Sequence, residues 1–258
     1  MPVPRSRFRA FARLLAIVAF AGMHPPALAA EAESPRASDA KGPSASELVR
    51  KYVEANGGVS NVRDLESIAA SGTSFGRDGE ATPIRVIRKR PDKLKMIFDL
   101  GDRRRAVVYN SGEAWEELQF RGRVKVEPIN GERRASLARS SSFELTLREH
   151  WRDRETELEA LGKETVDGRE TYRLVARLPG GEEAHYWLDA NHYQEVRIRR
   201  ENGGAVTVDY SDYVRIGGVY VAKRSVRRID GEVVSRLEFD SVRGDVGVFD
   251  SFFKRPEE

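Results

Sequence analysis

The sequence predicts a mainly β fold with a few helices, of the α+β class, and three observations predict it. From Ser67 onward apolar and polar residues alternate with a period of two. The alternating runs, each about seven to ten residues long, are punctuated by dipeptides suited to tight hairpins. Helical spacing is confined to a stretch after Ser44 and another after Asn130. The result is an antiparallel meander of about a dozen strands carrying two or three helices.

Taken from the N-terminus, residues 1–30 hold Arg5, Arg7, Arg9 and Arg13 and no acid, followed by an apolar stretch from Leu14 to Gly22 and the small-residue run Ala27-Leu28-Ala29-Ala30. This order reads as a secretory signal peptide cleaved near Ala29 or Ala30. The apolar run is about half of the roughly 20 residues a spanning helix needs. No Arg-Arg pair precedes it and no Cys follows it, which favours the general secretion route without lipidation. These four arginines also explain the formal net charge of +3, since the chain has 44 basic and 41 acidic residues. The remainder is close to neutral, and a nucleic-acid partner is disfavoured.

Residues 31–45 are rich in Ala, Ser, Pro and charge with no apolar period, and read as a flexible linker ahead of a folded domain over 46–258. Ser44-Ala45-Ser46-Glu47 has capping-box spacing, Leu48, Val49, Tyr52 and Val53 recur at helical intervals, and Gly57-Gly58 end the helix. A short helical turn over Asn61 to Leu65 follows, capped by Ser60. The clearest strand is Leu94 to Leu100, with 94, 96, 98 and 100 on one face and Lys95 and Asp99 on the other. Others are expected near 81–90, 104–110, 113–119, 169–178, 183–189, 194–201, 205–214, 219–229 and 232–243. Hairpin turns are expected at Asp78-Gly79, Ser111-Gly112, Asp167-Gly168, Gly203-Gly204 and Asp230-Gly231. A second helix is expected over Glu132 to Phe143. A sheet of this many strands is wider than a barrel its own side chains can fill, so something must occupy its curve.

Residues able to carry chemistry are sparse. The chain has no Cys, which removes disulfides, thiolate nucleophiles and Cys-ligated metals. His185 and His192 have no zinc-ligand spacing and His150 stands alone. No serine, Ser140-Ser141-Ser142 included, is expected in a nucleophile elbow, and the adjacent pairs Glu116-Glu117 and Glu182-Glu183 point to opposite faces of their strands. No catalytic residue, metal or cofactor is expected. The basic clusters Arg88-Lys89-Arg90, Arg103-Arg104-Arg105, Arg197 with Arg199-Arg200, and Arg227-Arg228 read as solvated sheet faces, with an anionic membrane surface as the alternative. Arg243-Gly244-Asp245 reads as a turn.

One further pattern lies in the order of signals: Tyr186-Trp187-Leu188-Asp189, Val196-Arg197-Ile198, Val208-Asp209-Tyr210-Ser211-Asp212-Tyr213, Gly217-Gly218-Val219-Tyr220 and Phe253-Lys254-Arg255-Pro256. With the opening Tyr52-Val53-Glu54-Ala55-Asn56-Gly57-Gly58 and Leu65, it resembles the LolA-like family of outer-membrane lipoprotein-sorting proteins over most of residues 46–256. Two features depart from it: Ala222 stands where many relatives have Pro, and segment 123–160 is unusually rich in Arg and Glu. The resemblance implies a LolA/LolB-like incomplete antiparallel barrel of about 11–12 strands, closed by a helical lid over an apolar cavity. It implies a periplasmic, non-catalytic carrier for a lipid or acylated lipoprotein, acting as a monomer with a membrane donor or acceptor protein. A non-catalytic envelope-sensing module that docks to a membrane protein is the alternative. Leu94, Met96, Phe98, Leu100, Trp115, Leu174, Val196, Ile198, Val208 and Phe239 are the candidate walls of the hollow. The helices around Leu48 to Val53 and Arg134 to Phe143 are its candidate covers.

Overall fold

A computed structural model describes residues 42–201 and 204–256. The expected signal peptide, most of the expected linker and Gly203 of one expected turn lie outside the described residues. Two meanders follow one another along the chain. The first is β1 (Ser67–Phe75), β2 (Ala81–Lys89), β3 (Lys93–Asp99), β4 (Arg103–Asn110), β5 (Glu113–Phe120) and β6 (Arg123–Pro128). The second is β7 (Glu157–Val166), β8 (Arg169–Arg177), β9 (Glu183–Asp189), β10 (Glu195–Glu201), β11 (Ala205–Ile216), β12 (Val219–Ile229) and β13 (Glu232–Gly244). Pairing of β1 with β13 joins them into one curved 13-stranded sheet, open at β6 and β7.

The hairpins follow from local chemistry. Ser111-Gly112, Asp167-Gly168 and Asp230-Gly231 all take positive φ at both residues, the geometry of the turn that matches strand twist. Arg121-Gly122 does the same at the β5–β6 hairpin, although Arg is a poor signal for it, and β6 escapes a sequence reading for that reason. β7 was not expected either. Its sequence, ELEALGKETV, has the composition of a helix, but pairing with β8 along its length overrides that propensity.

Four helices lie on one face of the sheet, here the inner face. α1 (Ala45–Ala55) begins as expected: the Ser44 side chain accepts a hydrogen bond from the Glu47 backbone N–H at 3.3 Å. Its buried Leu48, Val49 and Tyr52 pack with Leu147 of α4 (Thr146–Arg152) over Leu174, Tyr186 and Leu188 of β8 and β9. Each such buried side chain stabilises the fold by about 2 kcal/mol. α2 (Gly58–Asp64) follows Gly57, whose φ of 103° supplies the left-handed turn between the helices. The expected second helix is two: α3 (Gly131–Ser141) and α4, because Ser142 to Leu145 leave helical geometry. α3 sends Leu137 into a second inner cluster with Ile84, Leu94, Phe98 and Val107.

The outer face has its own cover. A 3-10 turn, Asp250–Phe253, seats the fully buried Phe253 against Ile97, Val108 and Trp115. Lys89 anchors this segment by donating to the Val248 carbonyl and to Asp250, both at 2.7 Å. Arg243-Gly244-Asp245 ends β13, and Asp245 turns with a φ of 49° while its carboxylate accepts from the Glu66 N–H.

Candidate functional site

Between α3, α4 and the second meander lies a cavity of about 320 Å³. The sheet supplies its floor: Ile198 from β10, Val206, Val208 and Tyr210 from β11, and Arg227 from β12. The register explains why these converge, since Ile198 pairs across to Val208 and Val208 to Arg227. Neighbours across a ladder share a face. The roof is one side of α3, where Arg133, Ser136, Arg139 and Ser140 recur at helical intervals. Leu137, next to Arg133 and Ser140 on the helix surface, is buried in the sheet cluster.

The ten candidate wall residues divide by place. Ile198 and Val208 line the cavity. Leu94, Phe98 and Leu174 are fully packed beneath the helices, while Met96, Leu100 and Phe239 are half-buried against the α3 cluster. Trp115 and Val196 are on the outer face. Trp115 follows inward-facing Ala114 on β5 and packs against Phe253. Val196 is displaced by a bulge: between Glu195 and Arg197 the β10 strand has one residue more than β9 opposite it. Strict alternation would put Val196 beside Ile198, whereas it packs with Trp187 and Val166.

Several basic clusters are structural rather than solvated. Arg88 donates to the Ser142 carbonyl at 3.2 Å and its guanidinium lies 5.2 Å from the Phe143 ring centre. Arg90 lies 4.9 Å from the same ring and donates to the carbonyls of Leu65 and Val62. The two arginines thus pin the α3–α4 connection to β2. Arg197 and Arg228 both bind Asp209 on the outer face.

Near the cavity, Glu195 is half-buried at the head of β10. Tyr52 of α1 donates to its carboxylate at 2.8 Å, and Tyr213 donates to its backbone carbonyl at 2.7 Å. Burial pushes the Glu195 carboxyl up, partly opposed by the Tyr52 hydrogen bond and Arg200. Burial also raises Tyr186 and Tyr210, and the Tyr186 hydroxyl has no hydrogen-bond partner. At the α3 end, burial would raise Glu116, but hydrogen bonds from Arg105 and Arg133 outweigh it and hold the carboxyl below its usual range.

No nucleophile is set up among these groups. Gly72-Thr73-Ser74-Phe75-Gly76 spells the G-x-S-x-G pattern. Ser74 is nevertheless 2% exposed inside β1, with no strand-to-helix turn to present its hydroxyl. Among the described residues no cluster of three His, Cys, Asp or Glu side chains could hold a metal ion.

His150 of α4 couples stability in this region to pH. Burial, then the neighbouring Arg200, lowers its pKa to about 4. Below about pH 6.5 the unfolded chain takes up a proton at this residue that the folded chain refuses until about pH 4. Stability therefore falls as pH drops through that window and levels off below it. His150→Leu should remove on the order of 2 kcal/mol of this acid loss. The check is urea unfolding of both proteins from pH 7 to pH 4.5. Comparison at each pH cancels groups such as Glu195, whose raised pKa acts in the opposite sense. An unchanged difference between the two proteins across the range would exclude this role.

No family model and no curated protein sequence matches the chain. Solved structures do. A domain assigned to outer membrane lipoprotein sorting from Vibrio parahaemolyticus is similar at 13% identity with a TM-score of 0.55, over 80% of this chain and 94% of that one. A DUF1329 family protein from Desulfovibrio piger is similar at 15% identity with a TM-score of 0.58, over 81% and 97%. A LolA superfamily protein from Nitrosomonas europaea is similar at 13% identity with a TM-score of 0.52, over 83% and 99%. The chain has the LolA-like fold, an incomplete antiparallel barrel with helices on its inner face.

Proposed function

We propose that this chain is an exported, non-catalytic carrier that shields an acyl chain of a lipid or lipoprotein in transit through the periplasm. Residues 1–30 act as the cleaved signal, 31–45 as a flexible linker and 46–258 as the carrier domain. The observation that carries this reading is the cavity whose floor of Ile198, Val206 and Val208 is left half-buried by the helices above it. A fold shared with lipoprotein-sorting and LolA superfamily structures supports it.

The energetics fit the role. Each methylene taken out of water is worth about 0.8 kcal/mol, so exposing a chain of about 16 carbons costs roughly 12 kcal/mol. A hollow removes much of that barrier without ATP. The cavity volume of about 320 Å³ is at the low end of the roughly 300–1,000 Å³ of small-molecule sites. Longer ligands require α3 to move, and α3 is suited to this because Leu137 is its one fully buried apolar side chain. Protein purified without detergent should yield fatty-acyl compounds on solvent extraction and mass spectrometry, and should enhance the fluorescence of an uncharged naphthylamine probe. Absence of both signals would overturn the carrier reading.

A further inference from the structure

A cavity meant for hydrocarbon alone has no use for cations in its lining, because even partly desolvating a charge is unfavourable unless it finds a counter-charge. Of the fourteen residues around this one, four are arginines and two are glutamates. Arg139 and Arg200 meet those two, Glu132 at 2.6 Å and Glu182 at 3.3 Å. Arg133 reaches outside the lining to Glu116 at 2.7 Å, but that carboxylate also takes both hydrogen bonds of Arg105. The positive charge around the cavity therefore exceeds the negative.

Arg227 makes the excess consequential. It sits in the middle of the sheet, across from Val208 on one side and Ser235 on the other, where an aliphatic residue would complete an apolar floor. Burial lowers the pKa of its guanidinium, Tyr210 opposes this and the nearby Arg139 adds to it, as expected where two guanidinium groups border one cavity. An anion placed between them would relieve both terms, and the planar guanidinium fork suits a carboxylate or phosphate. The hydroxyl-bearing Ser136 and Ser140 of α3 border the same space.

We propose that the cavity binds a single-chain amphiphile by its anionic head, a carboxylate or phosphate monoester. Arg227 and Arg200 hold the head from the sheet, Arg133 and Arg139 hold it from α3, and the chain lies on Ile198, Val206 and Val208. This inference rests on the carrier reading and specifies the class of ligand.

The test is displacement of the uncharged naphthylamine probe from the purified protein by dodecanoate, dodecyl phosphate, dodecanol and dodecyltrimethylammonium, each below its micelle concentration. At least one of the two anions should compete at about tenfold lower concentration than dodecanol, with the ammonium no better than dodecanol. Whichever anion competes better identifies the head as carboxylate or phosphate. Arg227→Gln should erase about tenfold of that preference, read as the ratio of anion to dodecanol competition within the same protein. Arg139→Gln provides the same reading at a side chain about half exposed, where folding is not at stake. Equal competition by all four amphiphiles, or a preference untouched by both substitutions, would overturn the anionic-head inference while probe uptake keeps the carrier reading intact. Failure of the probe and all four amphiphiles to bind would overturn both.

Discussion

Gly72→Ala should lower stability by about 3 kcal/mol, the upper end of what overpacking usually costs, seen as a large drop in the urea midpoint. Gly72 sits where the β1–β13 ladder shifts register, between Ser71 and Gly72. A Cβ built there would lie 2.0 Å from the Glu238 carbonyl oxygen and 2.6 Å from the Phe239 Cα. Both neighbours are backbone, so relief requires moving a strand instead of rotating a side chain. The strand in question is the one that matters most to the architecture. Among the described residues, β1 with β13 is the single ladder joining the two meanders, and Phe239 borders the α3 cluster. Gly247→Ala is the control, because a Cβ there meets nothing within 4 Å, and it should be near neutral. A Gly72→Ala protein within about 1 kcal/mol of wild type would mean that the seam is more compliant than its geometry implies.

The strands that a sequence reading finds are those whose two faces meet different surroundings. Leu94, Met96 and Phe98 alternate cleanly with Lys95 because the inner face of β3 meets α3, while Lys95 points outward to the Glu117 carboxylate at 3.2 Å. Asp-Gly and Ser-Gly turns fix where such strands reverse. β6 and β7, the two free edges, are invisible for a related reason. An edge strand has one partner and little burial, so β6 shows only Val124 and Val126, and β7 is written in helix-forming residues. Of the covering helices, α1 is legible from its Ser44 cap and α3 from the stretch Glu132 to Phe143, whereas the short α4, which has no side-chain cap hydrogen bond, is not.

The cavity was less legible than the sheet. Parity along a strand places Ile198 and Val208, yet the bulge at Glu195 reverses it for Val196. Such a bulge has no signature in this stretch of sequence. The arginines were the larger omission. Arg227 reads as one member of a basic pair on a wet face, and only the cross-strand register puts it beside Val208 under α3. The signal that could have found them is on α3, where Arg133, Ser136, Arg139 and Ser140 border the cavity beside the buried Leu137. A polar side on a helix with one fully buried apolar side chain is what a cover over a polar-rimmed opening needs.

Val208→Trp should fold and yet take up apolar probe at least about tenfold more weakly than wild type, equivalent to about 1.4 kcal/mol of binding. Val208 is half-buried and its side chain faces an opening instead of a packed neighbour. The usual penalty for enlarging a core residue arises from atoms already in the way, and at this position the indole can enter empty space. It then occupies the volume that an acyl chain requires. The same logic separates a ligand wall from an ordinary core: Leu174, fully buried under α1, should lose stability when enlarged, whereas Val208 should lose binding. Val233→Trp, at a position 43% exposed, controls for adding an indole to the sheet surface and should change neither quantity. Thermal unfolding and probe titration on the three proteins decide the matter. Undiminished uptake by Val208→Trp would place the acyl site elsewhere, and loss of folding together with uptake would identify Val208 as core.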